Sequence, residues 1–185
     1  VQEYNEYLTG GSEEYYMNLI ADEIEPYLEA SGIEFSRNDT SRPVSQAIAD
    51  SNAGNYDLHL SIHSNASPES MKGQLLGVDI YYSPVSYLGK MFADMLAENY
   101  KKIYPDPDKV KIVPTTSLGE IRRTTAPAVL IETAYHDNPE DEQWIKENID
   151  LIAETLAMTV AEFFNLPFVA PIDNNSYEID VDMIE

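Results

Sequence analysis

Apolar side chains recur at three- and four-residue steps through Tyr16, Leu19, Ile20, Ile24, Tyr27 and Leu28, so residues 12–30 carry one buried helix face. Ser12 stands ahead of the run, Pro26 predicts a bend or an interruption, and Gly32 stops it. The alternation Ile33-Glu34-Phe35-Ser36 predicts a short strand before the polar turn Arg37-Asn38-Asp39-Thr40. A second helix fits residues 43–53, opening at Pro43 and ending at Gly54-Asn55, and residues 57–63 read as a strand. Residues 65–73 are polar and punctuated by Pro and Gly, hence a loop, and residues 78–82 are rich enough in β-formers to be the next strand. Tyr87, Leu88, Met91, Phe92, Met95, Leu96 and Tyr100 predict a long helix whose Met and aromatic side chains are core. Residues 105–119 read as loop. Pro127-Ala128-Val129-Leu130-Ile131 is the continuous apolar run of a strand buried on both faces, and it ends at the charge of Glu132. A final helix covers residues 139–164.

Strands alternating with helices predict an α/β domain, with a mostly parallel twisted sheet and helices on both faces. A chain of 185 residues with 43% hydrophobic content holds one such domain, residues 1–166. Residues 167–185 carry two prolines and five acids without a base, which predicts an acidic linker or disordered tail leading to additional domains. Overall, 11 Lys and Arg against 33 Asp and Glu give a formal charge of −22, which repels phosphate backbones and argues against nucleic acid as a partner. The acids are spread over helix faces and the C-terminus, as a solvated surface requires. Cysteine is absent, so a metal would have to be held by His and carboxylate. No stretch approaches the roughly 18–20 apolar residues of a membrane span, and the N-terminus shows neither the basic nor the apolar region of a signal peptide.

In open α/β sheets functional groups collect where strands end. Ser61-Ile62-His63-Ser64-Asn65 puts an imidazole at one strand exit, and Glu132 emerges from another directly after five apolar residues. Desolvation there predicts a raised carboxyl pKa, suited to a general base near neutral pH. The competing structural roles are a hydrogen-bonded strand-end histidine and a glutamate that caps a neighbouring helix. A third ionisable group, Glu14, lies in the first turn of the first helix. His59 shares a face with His63 but lies four residues, about 13 Å, along an extended strand, and reads as a buried strand histidine. His136 follows Glu132 by four residues in the loop Tyr135-His136-Asp137-Asn138.

Several elements share one order and spacing: Gly11-Ser12-Glu13-Glu14 with Asn18-Leu19, Arg37-Asn38, Ser61-Ile62-His63-Ser64-Asn65-Ala66 with Gly73, and Arg122 to Glu132 with Asn138-Pro139-Glu140-Asp141. Together they resemble the zinc-dependent N-acetylmuramoyl-L-alanine amidases over residues 10–165. The resemblance implies a phosphorylase/hydrolase-like fold, zinc as cofactor, peptidoglycan as substrate and an extracellular or cell-wall setting. It implies a zinc ion held by an N-terminal histidine, a helix glutamate and the histidine of the Ser-x-His-x-Asn element, with an open fourth position. Carried over by position, Glu14 and His63 are ligands, Glu132 is the catalytic carboxylate, and Arg122 binds the peptide stem or steadies the oxyanion. Zinc would acidify a water and polarise the muramoyl–L-alanine amide while Glu132 moves the proton. The first histidine of the pattern has no counterpart here, so the third ligand is expected either upstream of Val1 or at His136. Three other readings stand beside this one: a glycan- or peptide-binding domain without metal or activity, a zinc peptidase of other specificity, and a metal-free glycosidase using Glu14 and Glu132.

Overall fold

The computed structural model describes residues 5–172; residues 1–4 and 173–185, which include most of the expected acidic tail, lie outside the described residues. Six helices, α1 (Glu13–Ala30), α2 (Val44–Gly54), α3 (Tyr87–Tyr100), α4 (Gly119–Arg123), α5 (Pro139–Glu147) and α6 (Ile149–Phe163), surround four strands. The strands are β1 (His59–Asn65), β2 (Val78–Tyr82), β3 (Val110–Pro114) and β4 (Ala128–Tyr135), in the order β1-β4-β2-β3. β1 and β4 are parallel, as are β2 and β3, whereas β2 and β4 run antiparallel. The sheet is therefore mixed, two parallel pairs meeting at one antiparallel seam.

Helices cover both faces unequally. On one side Ile80, Val129 and Ile131 join Ile20 and Ile24 of α1, Phe92 and Leu96 of α3, and Ile152 and Leu156 of α6 in the main core. Fully burying side chains of this size stabilises the fold by about 1.5–3 kcal/mol each. On the other side Ala128 and Leu130 pack under Ile121 of α4, with Leu118 and Tyr81 at the margin. Strand side chains alternate between these two layers.

The structure departs from the sequence pattern in five places. α1 runs unbroken through Pro26, because one absent donor is outweighed by Ile24 and Leu28, which anchor the helix to the core on either side. Residues 33–36 are extended but pair with no strand among the described residues; Ile33 and Phe35 still pack on the core, so the alternation reports burial and not pairing. Residues 105–119 hold β3 and the first residue of α4, both elements too short for a period to register. β4 continues past Glu132 to Tyr135, which places Glu132 inside the strand and not at its exit. The last helix divides at Asn148 (φ −127°, ψ 26°), whose Nδ2 donates to the Trp144 carbonyl.

Two buried aspartates fasten the loop after β1 to the end of β4. Asp137 accepts from the N–H groups of Ser67 (3.0 Å) and Gly73 (2.8 Å), the latter at φ +72° where glycine is favoured. Asp141, in the first turn of α5, accepts from the N–H groups of Gly77 (2.9 Å) and Tyr135 (2.9 Å) and from the Tyr104 hydroxyl (2.5 Å). At the other end of the domain Phe168 stacks on Tyr27 and Val169 N–H donates to Ser31 Oγ (3.0 Å), holding the chain against α1 this far. Among the described residues no helix is long and apolar enough to cross a membrane. Replacing Asp141 by Ala leaves three buried donors unsatisfied and should destabilise the fold by about 2–4 kcal/mol. Urea denaturation measures this; a loss under about 0.5 kcal/mol would show that water replaces the carboxylate.

Candidate active site

The register of the sheet builds the site. His63 of β1 lies beside Glu132 of β4, Glu132 beside Asp79 of β2, and Asp79 beside Lys111 of β3. In-register neighbours project to the same face, so four ionisable residues cross the sheet in one row, on the side that carries α4. Immediately beyond, the pairing shifts between His63 and Asn65 by one extra residue on β4, and Thr133 Oγ1 donates to the His63 carbonyl (3.0 Å). Irregularities of this kind re-aim side chains next to active sites.

Glu132 is the carboxyl of the row that burial perturbs most. Its Oε2 is buried and has no hydrogen-bond partner among the described residues. Burial pushes the carboxyl up to about 7, with the charges of Glu13, Asp79 and Glu120 acting the same way and His63 acting against them. Asp79, directly opposite, is half-buried and also raised, chiefly by burial. Its Oδ2 accepts from Asn65 Nδ2 and from the Tyr135 hydroxyl, each at 3.4 Å. Two carboxyl groups facing each other across neighbouring strands weaken a sheet, so this pair is a feature of the site and not of the scaffold.

His63 is clamped at both nitrogens. Nδ1 lies 2.9 Å from Glu13 Oε1, which also accepts from the Ser64 N–H (3.2 Å), and Nε2 lies 3.3 Å from Glu120 Oε2. Burial alone would lower the imidazole, but hydrogen bonds and charge from Glu120 and Glu13 raise it to about 10. With the ring 38% exposed, solvent screens part of that attraction. Burial opposes ionisation of both carboxylates as well, and the histidine bonds outweigh it: His63 holds Glu13 below the usual range, and His59 with His63 holds Glu120 far below it. Glu120 Oε1 accepts from Ser61 Oγ (2.8 Å) and stands 3.9 Å from His59 Nε2. His59 in turn meets Ser51 Oγ through Nδ1 (3.0 Å). Although their backbones are far apart, the two strand histidines lean towards one carboxylate.

Of the residues the sequence singled out, the fold brings His63 and Glu132 together and leaves three elsewhere. Glu14 is exposed; the carboxylate that reaches His63 is its neighbour Glu13, which lies four residues before buried Met17 and seven before buried Ile20. His136 is buried, with Nδ1 at 2.9 Å from Ser64 Oγ and its ring stacked on Tyr7, and Ser64 points to the opposite face from His63. Arg122 is exposed on α4 and makes no ion pair among the described residues. Glu13, Glu120 and Asp79 were not singled out. The helical stripe of α1 and the alternation of β2 would have found the first and third, whereas Glu120 lies on a helix of five residues.

A carboxyl group poised near neutrality beside an imidazole on paired parallel strands is the equipment of a hydrolase that moves a proton to and from water. The model of the family described as N-acetylmuramoyl-L-alanine amidase matches residues 4–162. The chain belongs to this family, whose members are hydrolases and generally depend on zinc. Its fold is similar to that of the N-acetylmuramoyl-L-alanine amidase AmiC2 of Nostoc punctiforme, at 19% identity and a TM-score of 0.74, over 86% of this chain and 88% of that one. It is similar also to the catalytic domain of the amidase CwlV from Bacillus (Paenibacillus) polymyxa var. colistinus (21% identity, TM-score 0.71, 89% and 96% covered). An N-acetylmuramoyl-L-alanine amidase from Clostridium difficile 630 gives 22% identity and a TM-score of 0.72, with 86% and 88% covered. No curated protein sequence is matched.

Two outcomes test this geometry. A carboxyl with a higher pKa folded than unfolded weakens the fold as the unfolded chain ionises, from about pH 4.5 upward, and the effect is complete above about pH 7. Glu132→Gln should therefore stabilise the protein by about 1–3 kcal/mol at pH 8 and change little at pH 4. Urea denaturation at the two pH values decides it, and a gain no larger at pH 8 than at pH 4 would contradict the raised pKa. Likewise Glu13→Ala should lower stability at pH 7 by about 1–2 kcal/mol, against under about 0.5 kcal/mol for Glu14→Ala; equal effects would mean that α1 starts in a different phase.

Proposed function

We propose that this chain hydrolyses the amide joining the lactyl group of N-acetylmuramic acid to L-alanine in peptidoglycan, at the cell wall or outside the cell, with zinc as cofactor. The observation that supports it best is Glu132, whose Oε2 is buried without a hydrogen-bond partner among the described residues and whose carboxyl is raised to about 7, in register with His63, in a chain of this family.

The residues present fit the metal in part. Two tetrahedral zinc ligands, each about 2.0–2.1 Å from the ion, are about 3.3 Å from one another, and Glu13 Oε1 and His63 Nδ1 at 2.9 Å come within a few tenths of that spacing. Glu13 and His63 would hold the ion, Glu13 taking the part that the sequence resemblance gives to Glu14. Among the described residues no group of three His, Cys, Asp or Glu is placed to hold a metal. Glu120 engages the other ring nitrogen and His136 faces Ser64. When bound, zinc polarises the scissile carbonyl and acidifies a water.

The chain's own residues supply the rest. Glu132, ionised above about pH 7, takes a proton from water and returns it to the departing amine of L-alanine. Glu13 and Glu120 fix the plane of the His63 ring from its two nitrogens. Asp79, Asn65 and Tyr135 offer an acceptor and donors beside the base. Arg122, exposed two residues beyond Glu120, would bind a carboxylate of the peptide stem or steady the oxyanion.

Digestion of purified peptidoglycan should release new N-terminal L-alanine while glycan strands stay intact and no reducing ends appear; no L-alanine amine in the presence of zinc would reject the assignment. Glu132→Gln should lower kcat/KM by about 10²–10⁴ with the fold retained, and near-normal turnover would place the base elsewhere. For the native protein kcat/KM should rise about tenfold per pH unit until about pH 7 and then level, because the base must be ionised.

A further inference from the structure

His59, Ser61 and His63 alternate along β1 and so share the face of the sheet that carries α4. The proposed chemistry uses only His63, yet the other two form one chain with Glu120. Ser61 Oγ lies 2.8 Å from Glu120 Oε1 and 3.2 Å from His59 Nε2, and His59 Nδ1 lies 3.0 Å from Ser51 Oγ of α2. The direction of these bonds follows from the donors available. A carboxylate only accepts, and a hydroxyl has one proton to give. Ser61 therefore donates to Glu120 Oε1, and its oxygen accepts from His59 Nε2–H. Hydrogen bonds aligned in this way polarise one another, and all of them converge on Glu120.

The backbone that carries this carboxylate is fixed as well. Ile121, 4% exposed, packs α4 onto Ala128 and Leu130. With Oε1 tied to Ser61 and the next residue locked into the sheet, the place of Glu120 is set independently of His63. Its other oxygen, Oε2, faces His63 Nε2 at 3.3 Å, while His63 Nδ1 faces Glu13 Oε1 at 2.9 Å. An imidazole offers one nitrogen to a metal while the other keeps its proton, and the group that accepts that proton decides which is which.

We infer that Glu120 is a positioning residue of the zinc site proposed above, on which this reading rests: it accepts the Nε2–H of His63 and so leaves Nδ1, beside Glu13, as the nitrogen that binds the ion. Ser61 and His59 act one step further out, by holding Oε1. Nothing in this role depends on which amide is cleaved.

Zinc binding tests it without turnover. Zinc is titrated into the full chain and followed at the ring nitrogens of His63 by nitrogen–proton correlation spectra, because a surface of formal charge −22 also takes up the metal elsewhere. In the native protein Nδ1 should become the metal-bound nitrogen while Nε2 keeps its proton. Glu120→Ala should weaken zinc binding at His63 by about 10–100-fold, and Glu120→Gln, which keeps an acceptor but not the charge, by less than about tenfold. Urea midpoints show whether each variant is folded; should Glu120→Ala fail to fold, the order native, Ser61→Ala, Glu120→Gln in falling zinc affinity is the expected result, and no loss in either variant overturns the inference. Zinc on Nε2 with the proton on Nδ1 would overturn it, as would equal losses for Gln and Ala, which charge alone would give. Failure of the native protein to bind zinc at His63 would reject it together with the cofactor. Zinc bound as expected, without release of L-alanine from peptidoglycan, would support the role of Glu120 and reject the amidase function.

Discussion

The site depends on one constraint, the parallel register between β1 and β4. It sets His63 against Glu132, and it carries Glu132 inside a strand whose other residues are almost all buried. A slip of one residue would turn both side chains to the opposite face, into the main core. That slip is opposed from both sides, because Leu60 and Ile62 of β1 and Val129 and Ile131 of β4 pack with the same hydrophobic cluster. The packing that makes the core therefore also places Glu132 and keeps its Oε2 out of water.

Around this pair the charges are uneven. Glu13, Glu120, Glu132 and Asp79 gather along the row, and only Glu13 and Glu120 touch the imidazole. The contacts sort their acidities. Those bonded to His63 stay ionised below the usual range, while those left to burial and mutual repulsion rise. A protonated His63 thus satisfies Glu13 and Glu120 at once, and Glu132 has no such bond to draw its acidity down.

Much of this was legible in the sequence where a period or a sharp polarity change ran long enough. The runs behind α1, α3, β1 and β4 span several turns or a full strand, and a charge after five apolar residues marks Glu132 unmistakably. Glu13 was legible in the phase of α1, since it precedes buried Met17, Ile20 and Ile24 by four, seven and eleven residues, while Glu14 falls one step round. Adjacent glutamates differ only in that phase, and motif spacing alone does not say which of them reaches His63. Asp79 stands in a strand of alternating burial, which marks it as facing away from the core but says nothing about its neighbour. Glu120 had no local signal, because five residues do not establish a helical period, and the antiparallel seam between β2 and β4 had none either, because a strand's residues do not encode its direction.

The unequal covering of the sheet bears on the shape of what it can accept. The row from His63 to Lys111 lies across the strands, and the helix over that face is α4, five residues long. Lys111 at one end is exposed, and His63 at the other is in the edge strand. The row thus runs from an edge strand to an exposed side chain, with neither end closed by an element of the sheet. A substrate that is part of a continuous mesh has no free end to thread, and such a row can be approached from the side.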